Sequence, residues 1–375
     1  MPDFRPLSYV EVDLSAIAAN TRAIRARLGR GVTLIAVVKA NAYGHGLIPC
    51  ARVMLASGAD RLAVSRVSEA LALRAAGIAA PILTLGYAAP DEAADAVAHD
   101  ITLAVGDRPT AAALAEQAAI RGRVARLHVK VDTGMGRFGL LPEEVVPFLD
   151  WLATLSGVMA EGIFTHFATA DNADKSFVHT QMAIFRQVLA AAGAAGHALP
   201  LRHAANSSAI LDLPETVLNA ARPGIVLYGL YPSEHVSHDL PLQPALAIRS
   251  RVARVRTLPA GASIGYDRTY IAPRTIRAAL IPVGYGDGYP RLLSGQGAVL
   301  INGRRAPLIG RVAMDQFVVD VSEVGPVAQD DEVVLLGRQG ADVISAEELA
   351  RMAGTINYHI VTALLPRLPR VYIGG

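Results

Sequence analysis

Lysine is nearly missing from this sequence. Only Lys39, Lys130 and Lys175 occur among 35 basic residues, which leaves 32 arginines. Arginine supplies plain positive charge here, so each lysine needs its own explanation. An amine gives up its proton when desolvated and can then condense with a carbonyl, which a guanidinium cannot do. Cysteine is scarcer still: Cys50 stands alone, so no internal disulfide and no thiolate zinc cluster can form. There is no His-Glu-x-x-His and no P-loop lysine pattern, and the glycine-rich "VGYGDGYP" (283–290) lacks dinucleotide-binding spacing. No metal site is expected. An excess of one charge sign is also absent, because the net charge is +2 with signs interspersed. Neither nucleic acid nor a membrane surface is therefore an expected partner. No apolar stretch reaches the roughly 20 residues of a membrane helix. The opening "MPDFRPLSYVEVDLS" has no apolar signal segment, so a cytoplasmic location is expected.

What the sequence does have is apolar residues, 52% of 375, enough for two domains. Up to about residue 230, short β-branched runs alternate with Ala/Leu-rich segments of helical period. Eight strands are predicted: 33–39, 62–65, 81–86, 101–105, 126–131, 162–167, 201–206 and 224–229. Eight βα units predict a closed α/β barrel of the TIM type over 1–238. From about 239 to 375 strands follow one another without helices, and turns such as Asn302-Gly303 predict a mainly antiparallel β-domain. Proline-containing 231–244 reads as the linker, and the first strand, in "SYVEVDLS", is a candidate to join the C-terminal sheet.

Polar residues collect where the barrel strands end. In "LIAVVKANAYGHG" five apolar residues run straight into Lys39. An ordinary strand-end lysine would simply snorkel to water. Lys130 to Arg137 follow the fifth strand, His166 ends the sixth, Asn206 and Ser207 end the seventh, and Arg222 enters the eighth. Barrel enzymes build their sites at these ends and often hold a phosphate after strands seven and eight, which predicts one site and a phosphorylated ligand. Taken singly, each feature has a plainer reading: His166 as a hydrogen-bonded core histidine, Arg222 as a salt-bridge partner, "VKVDTGMGRFG" (129–139) as a tight turn, and the tyrosines of "SIGYDRTY" (263–270) as sheet aromatics.

Their joint occurrence is more specific. "AVVKANAYGHG", "KVDTGMGRFG", "THFATAD", "ANSSA", "RPGIVLYG", "GYDRTY", "GYGDG", "GRVAMDQ" and "TINY", in this order across nearly the whole chain, resemble the alanine racemases. The resemblance implies an isomerase that interconverts L- and D-alanine through an aldimine of pyridoxal 5′-phosphate, supplying D-alanine for peptidoglycan. It implies Lys39 as the cofactor lysine and first base, and Tyr266 as the second base, supported by His166 and Arg222. It places Tyr43, Ser207, Gly224, Ile225 and Tyr358 at the cofactor phosphate. Leu85, Arg137, His166, Asn206 and Arg222 fall elsewhere around the cofactor, with Arg222 facing the pyridine nitrogen. Arg137, Met314, Asp315 and Tyr285 would contact the substrate, while Asp171, Arg291, Arg311 and Ile356 would line the entrance. Lys130 matches a lysine that is often carbamylated. The family also implies a homodimer in which one subunit's β-domain completes the other's site.

The chain departs from the family pattern at Asp267, beside the proposed base, and at Ala313, where a cysteine often stands. Substrate choice stays open between alanine, serine and a broader amino-acid range, since a small pocket discriminates weakly against an added hydroxyl. A decarboxylase of the same fold is disfavoured by arginine at 222. A non-catalytic pyridoxal-phosphate carrier is disfavoured by a second domain that carries Tyr266.

Overall fold

The computed structural model describes residues 6–375. Two compact units emerge. One comprises Ala16–Ala42 and Leu47–Pro244; the other comprises residues 6–15, Tyr43–Gly46 and Ala245–Gly375.

In the first unit, eight parallel strands close into a barrel. After β1 (Tyr9–Asp13), which belongs to the other unit, the barrel strands are β2 (Thr33–Val37), β3 (Arg61–Val64), β4 (Ile82–Thr84), β5 (Ile101–Val105), β6 (Ala125–Lys130), β7 (Val158–Phe164), β8 (Leu201–His203) and β9 (Ala220–Ala221). Pairing of β2 with β9 closes the ring. Continuous burial, as in Ile101–Val105, is what a strand covered on both faces requires. Helices such as Arg108–Arg121 start at a side-chain cap, here Asp107 accepting the Thr110 N–H, and stop at a left-handed Gly122.

The eighth strand differs most from its expected place, and the sixth runs Val158–Phe164, so that His166 lies beyond its end. Residues 224–229 form no strand: Ile225–Tyr228 is a 3₁₀ turn, and the eighth barrel strand is the alanine pair before it. Pro223 has no N–H with which to continue the ladder, and Gly224 leaves the extended region at φ −123°, ψ −96°. Because Ile225 to Tyr228 are buried in any case, their apolar run could not distinguish turn from strand. Arg222 therefore follows the eighth strand instead of entering it, and sits at the same end of the barrel as Lys39. The seventh strand also stops early, at His203. Asn206 lies beyond it and caps the helix Ser207–Asp212 by accepting the Ala209 N–H at 3.1 Å.

In the second unit, the main sheet runs in the order Arg254–Leu258, Ile276–Ile281, Phe317–Asp320, Arg304–Ile309, Ala298–Ile301, Glu332–Gln339, Leu246–Arg251, β1, Arg370–Ile373. Its pairs are antiparallel except β1 with Arg370–Ile373. The strand Leu246–Arg251 alternates buried and half-buried residues, as a sheet with one covered face does. Asn302 and Gly303, at φ 53° and 72°, make the hairpin turn between Ala298–Ile301 and Arg304–Ile309. Among the described residues, no helix is long and apolar enough to cross a membrane.

Candidate active site

The C-terminal ends of the barrel strands surround a cavity of about 390 Å³, lined by Lys39, Leu85, Lys130, Arg137, His166 and Arg222 together with Ser65, Tyr87 and Phe164. Six residues that the sequence analysis singled out thus share one space. Its volume falls in the usual range for small-ligand sites.

Lys39 opens an unusual turn. Ala40, Asn41, Ala42 and Tyr43 have φ between 51° and 55°, four consecutive non-glycine residues in the left-handed region. Each such residue costs roughly 1–2 kcal/mol, so the turn persists only because its surroundings hold it. The Ala42 N–H donates to the Val38 carbonyl at 2.9 Å, and the Leu47 N–H to Asn41 Oδ1 at 2.9 Å. The Lys39 ammonium is disfavoured by burial and by the Arg137 charge, against the pull of Glu69, with Arg222 adding to the repulsion. The amine at the strand end therefore gives up its proton more readily than an exposed lysine does.

Arg222 is buried and bonded through both terminal nitrogens. It donates through one Nη to His203 Nδ1 at 2.6 Å and through the other to the carbonyls of Thr165 and Ala204 at 2.8 and 3.1 Å. Burial lowers its proton affinity to about 9, still cationic at neutral pH. Since a guanidinium only donates, His203 Nδ1 must accept. Its Nε2–H is then free to donate to His128 Nδ1 at 2.8 Å, and the His128 Nε2–H donates to Glu161 at 3.2 Å. Arg61 closes the chain with two bonds to the Glu161 carboxylate at 2.7 and 3.1 Å. One row of donors therefore runs from Arg222 through two histidines to an acid. Burial holds His203 far below the ordinary imidazole range and His128 below it, which fits this neutral assignment. Gly162 is required for it, because a Cβ there would lie 2.8 Å from the His128 ring. His166, 3.4 Å from the Arg222 guanidinium, is likewise kept neutral by burial and by the cations around it, Arg222 foremost.

Lys130 donates to the Val131 carbonyl at 2.7 Å. Burial, followed by the Arg222 charge, lowers its amine to about 7. At the ends of β8 and β9, the Gly224 N–H donates to Ser207 Oγ at 2.8 Å, bringing those two predicted residues together. Ile225 begins the turn that follows.

The other predicted residues belong to the second unit, apart from Asp171, whose carbonyl accepts the Ser233 hydroxyl. Tyr43 and Tyr358 pack with ring centroids 6.1 Å apart, and burial raises the Tyr43 phenol. Tyr266 is 68% exposed, beside a cavity of about 520 Å³ that Arg311 also lines. Asp267 pairs with Arg311 at 3.0 Å, so the charge next to Tyr266 is balanced. The loop carrying Met314 and Asp315 is tied to the one carrying Tyr285, because the Tyr285 and Gly286 N–H groups donate to the Ala313 and Met314 carbonyls. Asp315 pairs with Arg367 at 2.8 Å. Arg291 and Ile356 are exposed.

His128, His203, Glu161, Arg61 and Glu69 were absent from the sequence-based site. For the histidines a signal existed: a polar residue inside a strand buried on both faces must find a partner within the barrel.

Comparison with known proteins agrees along the full chain. Residues 12–232 match the family model for the alanine racemase N-terminal domain, and 245–372 that for the C-terminal domain. An alanine racemase of Desulforamulus reducens is 48% identical over 98% of this chain and 99% of its own. Another, of Halothermothrix orenii, is 43% identical over 98% of each. The crystal structure of alanine racemase from Bacillus anthracis with bound L-Ala-P superposes with a TM-score of 0.94 at 39% identity, covering 99% of this chain and 97% of that one. A histidine racemase from Leuconostoc mesenteroides is also similar, at a TM-score of 0.89 and 31% identity over 100% and 99% of the two chains. With both domain models matched in order and relatives above 40% identity end to end, the chain belongs to the alanine racemase family.

Proposed function

We propose that this chain racemises alanine with Lys39 and Tyr266 as bases on opposite faces of the substrate. The family depends on pyridoxal 5′-phosphate, and the residues present fit that group. Lys39 offers an amine whose proton affinity is lowered, Ser207 and the Gly224 backbone come together as groups that would hold the phosphate, and Arg222 is held at the cavity by hydrogen bonds. When bound, the cofactor supplies a carbonyl for the amine and a conjugated ring that takes up the electron pair left by the α-proton.

The residues do the rest. Lys39 would hold the cofactor and, with its Nζ free, would withdraw or return the α-proton on one face. Arg222 can donate but not accept, so facing the ring nitrogen of the bound group it would offer no acceptor for a ring N–H and would keep the electron demand low, which disfavours side reactions. His166 and Arg222 hold the network that serves Tyr266 Oη. Arg137 orients the ligand, with Met314, Asp315 and Tyr285 at the substrate and Asp171, Arg291, Arg311 and Ile356 around the entrance. The observation that carries the reading is the convergence of Lys39, Arg222, His166 and Arg137 on one cavity.

The second base is supplied by a second copy. Tyr266, Met314 and Tyr285 lie exposed on one chain, and in a homodimer the β-domain of each copy would complete the site of the other. Lys130 would carry a carbamate. Its amine, half neutral near pH 7, attacks carbon dioxide, a C–N bond forms, and one proton leaves to solvent. The product is an anion that can pair with Arg137.

The test is the rate at which purified, cofactor-loaded protein removes the optical activity of L-alanine, set against L-serine and L-histidine. Alanine is expected to be fastest. Faster loss with histidine would move the chain towards the Leuconostoc neighbour, and no loss with any of the three would refute racemisation.

A further inference from the structure

We infer that Glu69 is the positioning residue for Lys39, holding the left-handed turn with one carboxylate oxygen and the neighbouring strand end with the other. This inference rests on the proposed role of Lys39.

Glu69 lies in the first turn of the helix Val67–Ala75. There its Oε2 accepts the Ser65 and Arg66 N–H groups at 2.8 and 3.2 Å, the Arg66 bond being the backward half of a capping box. A cap needs no more than that. The second oxygen, Oε1, instead crosses to the turn after β2 and accepts the Ala40 N–H at 2.6 Å. Ala40 is the first residue of the left-handed turn and the one directly after Lys39. Ser65, on the other side of the carboxylate, lines the same cavity as Lys39. One acid thus fixes two strand ends against each other at the proposed cofactor lysine. Its charge also favours the ammonium of Lys39 against the opposing Arg137 and Arg222, in a cavity that Lys130 and the neutral His166 line as well.

The carboxamide of Glu69→Gln can keep only one of these attachments, because its NH₂ group would face a backbone N–H at the other. Asp107→Ala, which removes the cap of a barrel helix away from the cavity, is the control for loss of a cap alone. In the holoenzyme of Glu69→Gln, the Ala40 amide should exchange with deuterated solvent about tenfold faster. The kcat for alanine should fall by roughly 10–100-fold, with KM within about twofold. The acid limb of kcat should move to lower pH, since a charge that raises the Lys39 amine is gone. Adding Ala40→Gly should recover kcat by about fivefold, because glycine enters the left-handed region without penalty. This rescue also keeps the test valid if Glu69→Gln alone folds poorly.

The inference is overturned if Ala40 exchange and the acid limb match the wild type while kcat falls no further than in Asp107→Ala. It is equally overturned if Ala40→Gly rescues nothing. Amide exchange at Ala40 does not depend on racemisation, so a failure of the proposed reaction would be seen separately, as borohydride fixing the cofactor on another lysine.

Discussion

The two units prepare their functional residues in opposite ways. At the barrel end Arg222 is 3% exposed, Lys130 is 5%, and Lys39 sits on a turn held by hydrogen bonds. In the sheet unit the residues proposed to act stand open: Tyr266 is 68% exposed and Met314 52%. Burial is what the barrel needs, because desolvation lowers the proton affinity of Lys39 and Lys130 and keeps His166 uncharged. Exposure is what the sheet unit needs if a second copy is to receive it. The perturbed groups are enclosed within the barrel, while Tyr266 and Met314 are left on the surface.

The sharpest way to break this contrast is to remove the barrel's amine. Lys39→Ala is expected to lower kcat by at least about 10⁴-fold, and borohydride reduction followed by peptide mapping should then find no cofactor on residue 39. Because the chain has only three lysines, label on Lys130 or Lys175 in the wild type would be unambiguous and would end the assignment.

Removing the exposed partner is the second test. Tyr266→Phe should still bind cofactor and fix it on Lys39, yet racemise roughly 10²–10⁴-fold more slowly. Exchange of the α-hydrogen with deuterated solvent should survive for one enantiomer of alanine only. Mixed with Lys39→Ala under conditions that exchange subunits, it should regain activity, since a mixed dimer holds one intact site. Silence from a mixture shown to have exchanged would place both bases on one chain.

Much of this was legible in the sequence, and unevenly so. Seven of the barrel strands fall within or overlap short apolar runs of the sequence, most of them carrying Val or Ile, and the residues at their ends stand out as polar groups in apolar surroundings, the rare lysines above all. The eighth does not, because Ala220 and Ala221 are too few to make a pattern and the adjoining run 224–229 is buried as a 3₁₀ turn. The His203–His128–Glu161–Arg61 row was hidden for another reason. Its members lie on β3, β6, β7 and β8, and only closure of the barrel brings them into line. Glu69 looked like an ordinary first-turn acid, since nothing in its own segment tells where its second oxygen points.

Lys130 gives a test of intermediate size. Its amine, lowered to about 7, is mostly neutral above that pH and mostly protonated below it. Carbamate can form only from the neutral amine, so activity that depends on it should decline as pH falls through about 7. Added bicarbonate should slow the decline. Lys130→Ala should cost about 10–100-fold in kcat, and small carboxylates should restore part of the loss. Intact-mass measurement under native conditions reads the modification directly, and an unmodified, fully active Lys130 would refute it.

The smallest effects measure how deep the prearranged side of the contrast reaches. Glu161 ends the row that begins at Arg222; burial works against its carboxylate, but bonds from His128 and Arg61 bring it down to about 2. Glu161→Gln keeps an oxygen for His128 but leaves the Arg61 guanidinium, only 21% exposed, without a counter-charge. A loss of about 1–3 kcal/mol in urea unfolding is expected. The Asp267 carboxylate, which pairs with Arg311 in the sheet unit, is 65% exposed. Water replaces that bond readily, so Asp267→Asn should change stability by less than about 0.5 kcal/mol. The two variants remove the same kind of charge from an arginine pair, and only the first should also perturb the imidazole nitrogen signals of His203, through His128. Equal stability losses would mean that the barrel network carries no more energy than an exposed pair, and that Arg222 is held by its immediate neighbours alone.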